Sequence, residues 1–159
     1  MLYLYAKNLE PDIKFAKEIE NLPKNIDQKN LLFIVNIFNA ILNDAVSTLS
    51  RIFQDERSVR DIIYAALPQG ITLQKIKERQ TNKGFSDLEL VTKKTRMVIE
   101  FKLTNKNRNA KSSLQEAINQ IKKKNYGIAA FHDYKLYRVA MVISSTERAI
   151  LPNFCQEVL

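Results

Sequence analysis

Apolar residues recur at three- and four-residue steps from residue 31 to residue 53: Leu31, Ile34 or Val35, Phe38, Leu42, Ala45 or Val46, Leu49 and Phe53. That spacing puts them on one stripe of a long helix, with Asp27 as its N-cap. Asn36, Asn39, Asn43 and Asp44 interrupt the stripe. A shorter helix over 11–21 is expected before it, ending near Pro23, and 2–7 reads as a short strand or a frayed arm. A second amphipathic helix over 56–67 turns Val59, Ile62, Ile63, Ala66 and Leu67 inward and stops at Pro68 and Gly70.

Beyond residue 70 the period changes to two. Segments 71–78, 85–91 and 96–103 read as strands, the first being the weakest, and a Lys83-Gly84 turn enters the second. Residues 112–126 return to helical spacing, with Leu114, Ala117, Ile118 and Ile121 inward and Gly127 just past the end. Segment 135–144 alternates again through Tyr137, Val139, Met141 and Ile143. The tail from Glu147 has weak helical character, broken by Pro152. The predicted order is helices, a three-strand meander, a helix and a strand, the last step being a crossover that returns the chain parallel to the third strand.

Composition narrows the class. At 159 residues and 45% hydrophobic, the chain suits one domain with a real core. Residues 1–54 read as a helical N-terminal extension packed on a core over 55–159. One cysteine, Cys155, excludes an internal disulfide and a Cys-based zinc site. One histidine, His132, argues against His-ligated zinc and a Ser–His–Asp triad. The start of the chain lacks a basic leader and a small-residue cleavage site. The longest apolar run, 31–35, is far short of the ~20 residues a membrane span needs. The expectation is a cytoplasmic protein with no membrane partner.

Charge changes the picture most. The net charge is +8, and its distribution is uneven. Residues 1–70 carry 8 basic and 9 acidic groups, 71–126 carry 14 and 5, and 127–159 carry 3 and 3. The whole excess sits in the middle third. Concentrated positive charge suits a polyanion, since each phosphate contact releases condensed counterions; a lysine-rich solvated surface is the plainer alternative.

The same third carries the candidate chemistry. A turn centred on Lys93 and Lys94 makes paired positions on the flanking strands sum to 187. Val91 then faces Arg96, Glu89 faces Val98, and Asp87 faces Glu100, with Lys102 two residues on and on the same face. The other face, Leu88, Leu90, Met97, Ile99, Phe101 and Leu103, is apolar. Opposed carboxylates destabilise a sheet unless a cation lies between them or one is protonated. Mg²⁺ or Mn²⁺ suits such an oxygen-rich site and would neutralise a scissile phosphate and acidify water. The alternative is a surface hairpin whose wet face bridges Lys102 to Glu100.

Gly84-Phe85-Ser86-Asp87-Leu88, then Ile99-Glu100-Phe101-Lys102, then Gln120-Ile121 and Tyr126, resemble the PD-(D/E)XK nuclease superfamily. The closest look is to the bacterial branch often fused C-terminal to AAA-ATPase-like domains, over roughly 56–145. No G-x-x-x-x-G-K-[ST] occurs, so this chain carries no ATP-binding motif. The resemblance implies an α/β, restriction-endonuclease-like core: helix, three-strand antiparallel meander, helix, strand. It implies a nuclease hydrolysing phosphodiester bonds, in DNA rather than RNA, with Mg²⁺ or Mn²⁺ as cofactor. Asp87 and Glu100 would be the metal carboxylates, with the Phe101 carbonyl completing the site and Glu56 as an outer or second-metal ligand. Lys102 would be the catalytic lysine that positions the attacking water, and Gln120 would point at the site from the following helix. On the residues alone, Glu56 also reads as helix-start charge and Gln120 as a solvated face.

Lys93, Lys94, Arg96, Lys106, Arg108, Lys111 and Lys124 would grip the phosphate backbone around the carboxylates. Loop lysines are ordinarily solvated, and lysines at a helix C-terminus complement its dipole. A non-cleaving nucleic-acid-binding module and a protein-interaction domain are the competing functions. A homodimer would suit the cutting of two strands.

Overall fold

The computed structural model describes residues 13–46, 52–70, 72–81, 84–105, 109–125 and 134–159. Three helices come first: α1 (Ile13–Glu20), α2 (Leu22–Asp27) and α3 (Leu31–Val46). A 3-10 turn (Ile52–Gln54) leads into α4 (Glu56–Ala66). Then follow β1 (Gln74–Thr81), β2 (Gly84–Val91), β3 (Thr95–Thr104), α5 (Ala110–Lys124), β4 (Lys135–Ser144) and β5 (Ala149–Glu157). The five strands form one sheet in the order β1-β2-β3-β4-β5. β1, β2 and β3 are an antiparallel meander, β4 lies parallel to β3, and β5 is antiparallel to β4. This is the restriction-endonuclease-like arrangement with N-terminal helices. Among the described residues, no helix is long and apolar enough to cross a membrane.

Alternation divides the sheet between two layers. Met97, Ile99, Phe101, Tyr137, Val139 and Met141 turn to the N-terminal helices, where they join Leu22, Ile26, Ile34, Phe38, Leu42 and Ile63 in one core. Val98 and Ala140 turn the other way and meet Ala117, Ile118 and Ile121 of α5. The apolar hairpin face therefore lies where the period-two pattern puts it.

α3 carries the stripe as far as Val46, Phe53 stands in the 3-10 turn, and Leu49 lies outside the described residues. Pro23 sits in the first turn of α2, where its missing N–H is no loss, and so opens a helix rather than ending one. Asp27 is not the N-cap of α3; it ends α2, and its carboxylate accepts a hydrogen bond from the Thr92 hydroxyl of the β2–β3 turn. The 11–21 helix is found as α1, and 2–7 lies outside the described residues.

The larger difference is at the C-terminus, where weak helix was expected and β5 is found. Pro152 is accommodated because β5 is an edge strand and its pairing shifts between Met141↔Cys155 and Ile143↔Ile150. The Asn39 side chain of α3 holds this strand: its amide donates to the Ile150 carbonyl at 2.9 Å and its oxygen accepts from Ile150 N–H at 2.7 Å. Ile150 is fully buried, so Asn39→Ala would strand two backbone groups. That substitution is expected to cost about 2–4 kcal/mol in urea denaturation.

Cys155 is packed in the core, and burial pushes its thiol up to about 12, out of the reactive range. α5 ends at Asn125, in the left-handed conformation at φ 52, two residues before the expected stop at Gly127. Gly127, Tyr126 and His132 lie outside the described residues.

Candidate active site

The hairpin register is the predicted one, with Val91↔Arg96, Leu90↔Met97, Glu89↔Val98 and Leu88↔Ile99 paired. The turn holds two residues, closed by Thr92 N–H on the Thr95 carbonyl at 2.9 Å. The ladder ends at Leu88↔Ile99. Asp87 and Glu100 stand one position beyond it, where β2 leaves β3.

That departure exposes β3 backbone, and two carboxylates cover it. Asp87 Oδ2 accepts from Phe101 N–H at 2.8 Å, and Glu56 Oε1 accepts from Leu103 N–H at 2.8 Å. Glu56 arrives from the first turn of α4, whose N-cap Asp55 accepts from Ser58 N–H at 2.7 Å. Lys102 Nζ lies 3.4 Å from Glu100 Oε1 and 3.9 Å from Glu56 Oε2. Four predicted residues from three elements thus converge: Glu56, Asp87, Glu100 and Lys102.

The electrostatics are those of a charge-deficient acidic site. Burial pushes the Glu100 carboxyl up to about 8; the Asp87 charge adds to this, and Lys102 only partly opposes it. Burial also raises Asp87, against the Phe101 hydrogen bond and Lys102. Glu100 Oε2 is buried with no hydrogen-bond partner among the described residues. An orphaned carboxylate oxygen beside a second carboxylate is what a hard cation would complete. A strand residue's carbonyl points to the same edge as its N–H, so the Phe101 carbonyl also faces the gap left by β2. The donor set fits Mg²⁺ or Mn²⁺. Among the described residues, no group of three or more His, Cys, Asp and Glu side chains is arranged to hold a metal by itself. An ion here would need the Phe101 carbonyl, water or substrate oxygens as well.

Glu56 spends one oxygen on Leu103 N–H, and its other oxygen faces Lys102. Gln120 is half-buried on α5, one turn before Lys124. Lys124 lies close enough for its charge to lower the Glu100 carboxyl, so that flank of α5 borders the site.

Arg96 requires a correction. It was expected to grip the phosphate backbone, but it is 3% exposed and its guanidinium holds Glu89, with Nε to Oε2 at 2.9 Å and Nη2 to Oε1 at 3.1 Å. Ser86 Oγ donates to the same Glu89 at 2.9 Å. A buried arginine so engaged is not a phosphate ligand. Lys93 and Lys94 are exposed at the turn, and Lys111 is exposed in the first turn of α5. Lys106 and Arg108 lie outside the described residues.

Arg60 was missed altogether. It is buried one turn after Glu56 on α4, and its charge reaches Asp87. The i, i+4 spacing of Glu56 and Arg60 is the one signal that would have placed them on the same helix face.

A sheet that opens beside a carboxylate pair and a lysine, flanked by helices on both faces, defines the restriction-endonuclease-like class. A family model of the PD-(D/E)XK nuclease superfamily matches residues 54–152, which is 99 of 159 residues, and the chain belongs to that superfamily. Its members are generally phosphodiester hydrolases and typically use divalent metals. No curated protein and no solved structure matches the chain.

Proposed function

We propose that this protein is a divalent-metal-dependent nuclease that hydrolyses phosphodiester bonds, in DNA rather than RNA. One observation carries the reading: Asp87, Glu100 and Lys102 converge where β2 leaves β3, with a Glu100 oxygen buried and unpartnered among the described residues.

Asp87, Glu100 and the Phe101 carbonyl would hold Mg²⁺ or Mn²⁺. The bound ion would neutralise the scissile phosphate and lower the pKa of water. Lys102 orients the attacking water in line with the phosphorus and offsets charge developing on the phosphate oxygens. Glu56 shares the Lys102 ammonium with Glu100 and so keeps it between the two carboxylates. Gln120 adds a neutral donor from α5.

The basic residues gather beyond the site. Lys93 and Lys94 line a groove of about 470 Å³ with Lys24, Asp27 and Thr92, and Lys135 N–H bonds the Lys94 carbonyl at 2.8 Å. This end of β3 is about 17 Å from Glu100 at the usual strand rise, or about five base-pair steps. Lys93→Glu with Lys94→Glu is expected to weaken DNA binding and to lower the slope of log K against log salt by about 2, measured by fluorescence anisotropy in EDTA.

Incubation of supercoiled plasmid with Mg²⁺, Mn²⁺ or EDTA tests the function. Cutting with metal and none with EDTA is expected. Salt-dependent binding without cutting would make the chain a non-cleaving module. Absence of binding at low salt would favour a protein-interaction domain.

A further inference from the structure

The sheet is open at one rung beside the site. β1 and β2 pair at constant register on both sides of it, through Lys77↔Leu88 and Arg79↔Ser86, but Glu78 and Asp87 between them do not pair. The register is the same before and after, so no residue has been inserted. Glu78 instead stands at φ 52, a conformation that a residue with a Cβ disfavours.

Two arginines of α4 reach Glu78: Arg57 Nε stands 3.8 Å from its Oε1, and Arg60 binds it more closely. Its Nη1 donates to Glu78 Oε1 at 2.8 Å, while Asp61 Oδ1 takes its Nε and Nη2 at 2.9 and 2.7 Å. The guanidinium is 3% exposed, fixed to its own helix, and reaches out to β1. One turn earlier on α4, Glu56 grips the Leu103 N–H of β3. A single helix therefore holds the strands on both sides of β2, and Asp87 is the β2 residue between the two grips. In a regular ladder, Glu78 and Asp87 would be directly opposed carboxylates about 5 Å apart at Cβ. Drawing Glu78 towards Arg60 removes that repulsion and leaves an arginine charge facing Asp87.

We propose that the Arg60–Glu78 ion pair is a positioning device that opens this rung and frees Asp87 to reach the Phe101 N–H. Its consequence for the reaction rests on Asp87 being a metal carboxylate; its consequence for geometry does not.

Arg60→Met removes the charge that draws Glu78 away and keeps an apolar stem on α4. Amide hydrogen exchange of Phe101, read against the ladder-paired Ile99 so that any global loss of stability cancels, should quicken at least tenfold, and the Kd for Mn²⁺ should rise at least fivefold. Arg60→Lys should restore part of the protection. Glu78→Gly, which suits φ 52 and takes away the carboxylate opposed to Asp87, should keep the protection of the wild type. Unchanged Phe101 protection in Arg60→Met would overturn the proposal whatever the metal does. Faster exchange in Arg60→Met, with a wild type that binds no Mn²⁺, would uphold the positioning role and remove the metal reading of Asp87.

Discussion

Lys102→Ala should lower metal-dependent plasmid cutting by about 10²–10⁴-fold and leave the far-UV circular dichroism spectrum unchanged. The Lys102 ammonium is the one cation within 4 Å of both Glu100 and Glu56 among the described residues, at 3.4 and 3.9 Å. Lys102 is buried, so truncation removes stem packing as well as charge, but Phe101 and Leu103 keep the strand's contacts with the main core. Lys102→Arg should rescue poorly, because a planar guanidinium cannot replace a compact ammonium between two carboxylates. Cutting at the wild-type rate by Lys102→Ala would end the assignment of Lys102 as the catalytic lysine.

The second large effect is on stability. Glu100 holds its proton up to about pH 8 in the folded protein and has an ordinary value of 4.5 when unfolded. Between those values the unfolded chain binds fewer protons than the native one, so stability falls as pH rises through the window. It is complete below about 4.5 and lowest above about 8. The loss is on the order of 5 kcal/mol, since each unit corresponds to about 1.4 kcal/mol. Glu100→Gln carries no titratable group and should abolish this component. In EDTA at pH 8 the variant should be more stable than the wild type, and the two should converge near pH 4.5. Added Mg²⁺ should stabilise the wild type at pH 8 and leave the variant unchanged. Paired urea titrations across pH check this, and parallel pH profiles for the two proteins would show that Glu100 is not the buried acid.

Much of this site was legible in the sequence because it lies on strongly periodic segments. The two-residue turn fixed the 187 register, and that register put Asp87, Glu100 and Lys102 on one face with an apolar face behind them. It also set Arg96 diagonal to Glu89 on that face, but the pattern alone does not show that this pair is buried, so Arg96 counted with the phosphate-gripping residues. Local pattern could not show where the ladder stops, since that depends on α4 pulling on β1 and β3 from outside the hairpin. Asp27 was misjudged for a similar reason: its partner, Thr92, is 65 residues away. β5 was obscured by Pro152, Asn153, Gln156 and Glu157, polar or helix-breaking residues that an edge strand tolerates and a central one does not.

That edge constrains how copies of the chain can assemble. The Asn39 amide occupies the Ile150 backbone groups, and Pro152 offers no N–H a few ångströms further along. A neighbouring molecule would find no continuous row of donors and acceptors there to extend, so this rim resists accretion of a foreign strand. Two protomers acting on opposite strands of a duplex would have to associate through side chains on another surface, not by merging their sheets across β5.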